Sequence, residues 1–166
     1  MDSSTLRRQG GLDEKKEITH HSPEVEMSLG PACWLWDYLR RSGLNGFFLP
    51  LSGGADSAAS AALVGVMCQM VFDEIQDEQS HSSTVLSDLR RIVKNDKFTP
   101  LSWQDICKKI FYCCYMATRN NSPETLQRAK ALAHELGANF DEANIDDVCD
   151  AFSKTWTQIG KTREPS

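Results

Sequence analysis

The chain has 166 residues, 40% of them hydrophobic and 25% charged, and a net charge of −5. That is enough length for one domain with its own core and ordinary composition for a globular protein. The acidic balance, with no basic block, excludes a role built on broad nucleic-acid attraction. No window is expected to reach the roughly 18 to 20 apolar residues of a membrane span. The polar first thirty residues do not resemble a secretory leader, so the expected setting is cytoplasmic. The six cysteines form no CxxC pair and lie mostly in apolar patterns, so they are expected to be reduced core residues.

In chain order, residues 1–22 are expected to be a polar, disordered tail. The adjacent His20 and His21 lack a third metal ligand nearby. A helix is expected from Ser28 as N-cap, with Pro31 in its first turn and a stop at Gly43. Its stripe is Leu29, Ala32, Cys33, Trp36 and Leu39, and Trp34 and Trp36 are expected to anchor packing. The apolar run 46–51 reads as a strand buried on both faces of a parallel sheet. It ends in Ser-Gly-Gly and passes into a helix over 58–75, the opening of a βαβ unit.

A polar linker over 76–83 precedes a helix marked by Val85, Leu86, Leu89, Ile92 and Val93. Ser102 opens a short helix ending near Lys109, and residues 110–116 form the second strand, with aromatic strand chemistry. Ser122 caps a helix with Pro123 at N1 and Gly137 at C′. Its stripe is Leu126, Ala129, Ala133 and Leu136. Residues 138–144 are a weaker strand, and 146–158 a last helix with Val148, Phe152 and Trp156 four apart. The order predicts an α/β fold with a doubly wound parallel sheet, Rossmann-like, three-layer α/β/α and incomplete. The organisation expected is a tail over 1–22, an ATP-binding region over 23–160 and a polar end over 161–166.

The chemistry concentrates in Leu51 to Ala58. Two glycines after a buried strand let the backbone approach a ligand, and the following helix aims free N–H groups at the same spot. Ser52 and Ser57 add hydroxyls. Asp56 would repel phosphate unless a divalent cation lay between, so cradle plus carboxylate implies a Mg²⁺-phosphate complex. On spacing alone the run also fits a plain strand-to-helix connection. Neither G-x-x-x-x-G-K-[ST] nor G-x-G-x-x-G is present.

Ser52-Gly53-Gly54-Ala55-Asp56-Ser57 resembles the signature of ATP pyrophosphatases of the adenine nucleotide α-hydrolase-like group. More specifically, the chain resembles the synthetase part of eukaryotic glutamine-dependent NAD⁺ synthetases. The likeness runs through His21-Ser22-Pro23-Glu24, Leu29 to Arg41, Phe47 to Ser57, Cys114-Tyr115-Met116, Glu124-Thr125, Arg128-Ala129-Lys130 and Asn144-Ile145-Asp146. That resemblance implies a carbon–nitrogen ligase in which ATP adenylates the nicotinate carboxylate of deamido-NAD⁺, pyrophosphate leaves, and ammonia from glutamine displaces AMP. It assigns Pro50, Leu51, Ser52, Gly53, Gly54, Ala55, Asp56 and Ser57 to ATP, with Ser52 at the synthetase active-site position and Asp56 on Mg²⁺. No base is adjacent in sequence to Ser52, which favours a pyrophosphate donor over a nucleophile. Tyr115 and Met116 would flank the adenine, and Asn120 and Ser122 would face nucleotide or substrate.

The partners implied are small molecules, with neither nucleic acid nor membrane, and the resemblance allows homo-oligomers in full-length relatives. Leu126 and Pro123 depart from the family's pattern, and Leu126 removes any anion contact from its position. The match covers roughly the first half of the synthetase domain, without the amidase domain, so part of an active site is expected. The alternatives are an inactive fragment that binds ATP or docks on a partner, and another pyrophosphatase-loop enzyme, GMP synthetase-like or tRNA-thiolating.

Overall fold

A computed structural model describes residues 21–77 and 82–161, and expectations placed on 1–20, 78–81 and 162–166 fall outside the described residues. The elements are α1 (Pro23–Ser42), β1 (Phe47–Pro50), α2 (Ala55–Gln76), α3 (Ser82–Val93), α4 (Trp103–Ile110), β2 (Phe111–Ala117), α5 (Pro123–Glu135), β3 (Asn139–Asn144) and α6 (Asp146–Lys161). The three strands form one parallel sheet in the order β1-β2-β3. The chain thus has the expected parallel α/β architecture.

Local chemistry explains several boundaries. Ser102 and Asp105 form a reciprocal capping box that starts α4. The Ser122 hydroxyl accepts from the Thr125 amide and Pro123 occupies N1, so α5 begins where its cap dictates. It ends at Gly137, whose φ of +69° only glycine adopts cheaply. α1 departs from expectation. Ser22, not Ser28, is its N-cap, and the Ser28 hydroxyl donates to the Val25 carbonyl from inside the helix, so Pro31 is internal. The first two turns are mostly exposed, and an apolar stripe marks only the packed remainder, which begins at the buried Ala32.

The core lies on one face of the sheet. Phe111, Cys113 and Tyr115 of β2 pack with Ala61, Val64, Met67 and Cys68 of α2 and with Ala129 and Ala133 of α5. Two parallel crossovers advancing in the same direction place both helices on the same side. Among the described residues the opposite face is open, with Phe48, Tyr112 and Met116 exposed on it. β1 is therefore not buried on both faces as its apolar run suggested, and the α/β/α sandwich is incomplete.

Two further readings are corrected, those of the α2 segment and of Trp34. α2 is long and apolar enough to cross a membrane by length and composition alone, because its alanines and glycine add to the larger apolar residues. It is the central helix of this core, packed against α1, α3 and α4. Trp34 is 63% exposed and stacks on Tyr38, whereas Trp36 packs against the core as expected. On α6 the spacing of Val148, Phe152 and Trp156 produced the helix, yet all three are exposed. All six cysteines are free, Cys33 and Cys149 exposed and the other four buried.

Candidate phosphate-gripping site

The site begins where β1 meets the carboxyl edge of the sheet. The Leu51 amide donates to the Cys114 carbonyl at 2.9 Å, which ties the first loop residue to β2. Leu51 is fully buried, backbone included, so it braces the loop from beneath and does not join the expected ligand contacts. Gly53 follows with φ +76°, and a side chain there would place Cβ 2.1 Å from the Thr125 carbonyl oxygen. Gly54 is the N-cap of α2, extended, and supplies no side-chain cap. α2 starts at Ala55, three residues before the expected Ala58, so Asp56 and Ser57 belong to its first turn.

That shift sets the chemistry. The Ala58 amide bonds to the Gly54 carbonyl at 3.1 Å, the first bond of the helix. The amides of Ala55, Asp56 and Ser57 therefore have no helical carbonyl to meet, and the positive end of the helix dipole lies behind them. α1, α4 and α5 start under serine caps; α2 starts under glycine.

The two serines brace the loop. Ser57 Oγ donates to the Gly54 carbonyl (3.1 Å) and accepts from the Ser52 amide (3.3 Å). Ser52 Oγ accepts from the Gly54 amide at 3.3 Å and lies 2.9 Å from Ser57 Oγ. Since the Ser57 proton is spent on Gly54, the Ser52 hydroxyl donates to Ser57. No acid or base hydrogen-bonds to Ser52 Oγ among the bonds described for it, which agrees with a hydrogen-bonding rather than a nucleophilic role.

Asp56 is exposed in the first turn. Among the described residues no group of three or more His, Cys, Asp or Glu side chains is placed to hold a metal. A cation at Asp56 fits only as one carboxylate contact, with phosphate oxygens and water completing its shell, which is how Mg²⁺ commonly sits on nucleotides. Met116 is 39% exposed on the open face of the sheet. Asn120 is exposed, its amide donating to Thr118 Oγ1 at 3.3 Å, and Ser122 is occupied as the α5 cap. Pro50 is exposed at the end of β1.

Tyr115 was expected to flank an adenine beside Met116. Its side chain instead lies on the covered face, 1% exposed. Residues alternate across a strand, so two neighbours cannot both line one face. Sequence reasoning passed over three side chains that the fold brings to this edge. Thr125 lies under Gly53. Asn121 donates to the Tyr115 hydroxyl (3.0 Å) and to the Met116 carbonyl (3.3 Å). Arg119 pairs with Asp146 at 3.2 Å and Asp150 at 2.7 Å on α6. The hydrogen bonds that the Arg119 guanidinium donates to Asp150 and Asp146 favour its charged form and raise its pKa above the usual value. The Arg119 amide and, less strongly, its side chain hold the Asp146 carboxyl below the usual range. Leu126 is half-buried against the core, which suits its apolar character.

The fold and this loop define a parallel α/β protein with a glycine turn at the head of its first crossover helix. The family model for NAD synthase matches residues 31–164, and the chain belongs to that family. It is 49% identical over 135 residues to the glutamine-dependent NAD(+) synthetase of Homo sapiens, covering 81% of this chain and 19% of that protein. Its identity to the enzyme of the same description from Dictyostelium discoideum is 43% over 150 residues, covering 90% and 21%. The crystal structure of a glutamine-dependent NAD(+) synthetase from Cytophaga hutchinsonii superposes with a TM-score of 0.69 at 28% identity, over 83% of this chain and 24% of that one. The glutamine-dependent NAD+ synthetase from Acinetobacter baumannii, solved in complex with ADP, shares the fold at a TM-score of 0.58 and 18% identity, over 91% and 22%. The chain spans about a fifth of the length of the curated relatives it matches.

Proposed function

We propose that this chain supplies the ATP-binding loop of a glutamine-dependent NAD⁺ synthetase. The reaction is the formation of a carboxamide. The nicotinate carboxylate of deamido-NAD⁺ attacks the α-phosphate of ATP, the bond between the α- and β-phosphates breaks, and pyrophosphate leaves. Ammonia from glutamine then attacks the acyl-adenylate carbon, losing a proton as AMP departs with the former carboxylate oxygen.

The observation that carries this reading is the start of α2. Three amides without helical partners, under a glycine cap and behind a positive-φ glycine, are seated at the carboxyl edge of a parallel sheet. Such a cradle suits the leaving pyrophosphate, whose charge grows as the bond breaks. The Ser52 hydroxyl reaches the same anion by turning about χ1 away from Ser57, so it is a donor to pyrophosphate. Gly53 and Gly54 keep the approach free of side chains, and Pro50 and Ala55 contribute backbone, with Leu51 buried beneath them. Asp56 offers one carboxylate to Mg²⁺, which when bound offsets phosphate charge. Met116, on the open face, is assigned to the adenine side, and Asn120 and Ser122 to the rim facing nucleotide or substrate.

The test is calorimetric titration with ATP·Mg²⁺ followed by competition. Pyrophosphate is expected to displace ATP, because both need the same amides. Saturable ATP binding left untouched by millimolar pyrophosphate would place the nucleotide elsewhere and defeat the assignment.

A further inference from the structure

Beneath the loop lies a chain of side-chain hydrogen bonds whose direction the proton count determines. Thr125 Oγ1 donates its one proton to the Ser122 carbonyl at 2.7 Å. The 2.7 Å contact between Tyr115 OH and Thr125 Oγ1 must then run from tyrosine to threonine. Asn121 Nδ2 completes the chain by donating to the Tyr115 oxygen at 3.0 Å, and its second proton goes to the Met116 carbonyl at 3.3 Å. The order is Asn121 to Tyr115 to Thr125 to Ser122. Every donor on the path is spent, and Tyr115 is 1% exposed, so water offers no substitute partner.

The end of this chain touches the loop. Thr125 is the third residue of α5, and its carbonyl oxygen lies directly against Gly53, where even a methyl group would overlap it. The first turn of α5 is thus the floor under the positive-φ turn that aims the α2 amides. Tyr115 rises from β2, the same strand whose Cys114 carbonyl accepts from Leu51. Both ends of the loop are therefore referenced to one strand, at Leu51 through the backbone and at Gly53 through Tyr115 and Thr125.

We propose that Tyr115 and Thr125 are positioning residues for the phosphate loop, acting on nucleotide binding through Gly53 without touching the nucleotide. This rests on the ATP reading above. Losing the Thr125 hydroxyl strands the buried Tyr115 donor and frees the α5 turn to shift, which moves the floor under Gly53. The loss is expected to fall on the phosphates and to leave the nucleoside unaffected.

The experiment uses the full chain, with ATP·Mg²⁺ and adenosine as separate calorimetric probes and thermal unfolding as a control. Thr125→Val keeps the shape and deletes the hydroxyl; it is expected to weaken ATP·Mg²⁺ by about tenfold, the scale of one buried hydrogen bond. Adenosine affinity is expected to stay within twofold. Thr125→Ser, which restores the hydroxyl, is expected to recover most of the loss. Tyr115→Phe provides a second, independent arm in the same direction, should Thr125→Val fold poorly. If wild type binds no ATP·Mg²⁺, the nucleotide reading itself fails and this inference with it. If wild type binds but Thr125→Val and Tyr115→Phe bind equally well, or lose ATP and adenosine in parallel, the loop reading stands and the positioning role is overturned.

Discussion

Gly53→Ala is the most discriminating single change to the loop. Gly53 sits at φ +76°, which for an L-residue costs about 1–2 kcal/mol. The added Cβ would lie 2.1 Å from Thr125 O and 2.8 Å from its carbon. Since Cβ contacts under 3.0 Å do not occur, the α5 turn or the loop must retreat by 0.9 Å, the difference of those limits. Overpacking of that kind adds about 1–3 kcal/mol, for a total near 2–5 kcal/mol. For a chain of this size that corresponds to a fall of roughly 4 to 20 °C in Tm. A displacement near 1 Å also takes the α2 amides off their target, so ATP affinity is expected to fall by at least about tenfold.

Gly54→Ala is the control. Gly54 has φ −91°, which any residue adopts, and its added Cβ meets only the Ser52 hydroxyl at 3.4 Å. It is expected to cost below about 1 kcal/mol. Circular-dichroism melting and calorimetry on both variants provide the assay. A Gly53→Ala protein that melts and binds like wild type, or a Gly54→Ala protein whose Tm falls as far, would refute the reasoning.

Asp56→Asn is expected to leave the unfolding free energy within about 1 kcal/mol of wild type while removing most of the Mg²⁺ dependence of ATP binding; unchanged metal dependence in calorimetry would dismiss Asp56 as a ligand. Leu51→Ala, at a fully buried position, is expected to cost about 2–5 kcal/mol in urea unfolding, more than any exposed loop change. Asp146 titrates below its ordinary value because the Arg119 amide and, less strongly, its side chain favour the charged form. A depressed folded-state pKa contributes stability at neutral pH that is lost as pH falls through it, below about pH 4. Asp146→Asn is therefore expected to lower Tm at pH 7 and to flatten the loss between pH 4 and 2.5; parallel wild-type and variant curves would rule that linkage out.

What could be read from residues alone was whatever is written locally. The Ser122-Pro123 start and Gly137 stop of α5, the Ser102 start of α4, and the strand–glycine–helix order around Ser52 all depend on neighbours within four residues. These signals placed the elements, the parallel α/β class and the loop. The start of α1 carries the same local signal as α5, Ser22-Pro23-Glu24 against Ser122-Pro123-Glu124, and was missed because its exposed first turns lack apolar periodicity; the start of α2 was read three residues late because Asp56 and Ser57 look like loop residues.

Facing was also closed to sequence. In a run as uniformly apolar as Phe111 to Met116, nothing tells which alternate set meets the helices, so Tyr115 and Met116 were placed together when the strand parts them. The contact of Gly53 with Thr125, and the hydrogen bonds that hold Thr125 to Tyr115, join segments far apart in the chain. Sequence by itself determined that a glycine bend precedes a helix; only tertiary packing decided why one glycine of the pair is irreplaceable. The physical reason is that backbone propensity is a property of neighbours along the chain, whereas close approach is a property of neighbours in space.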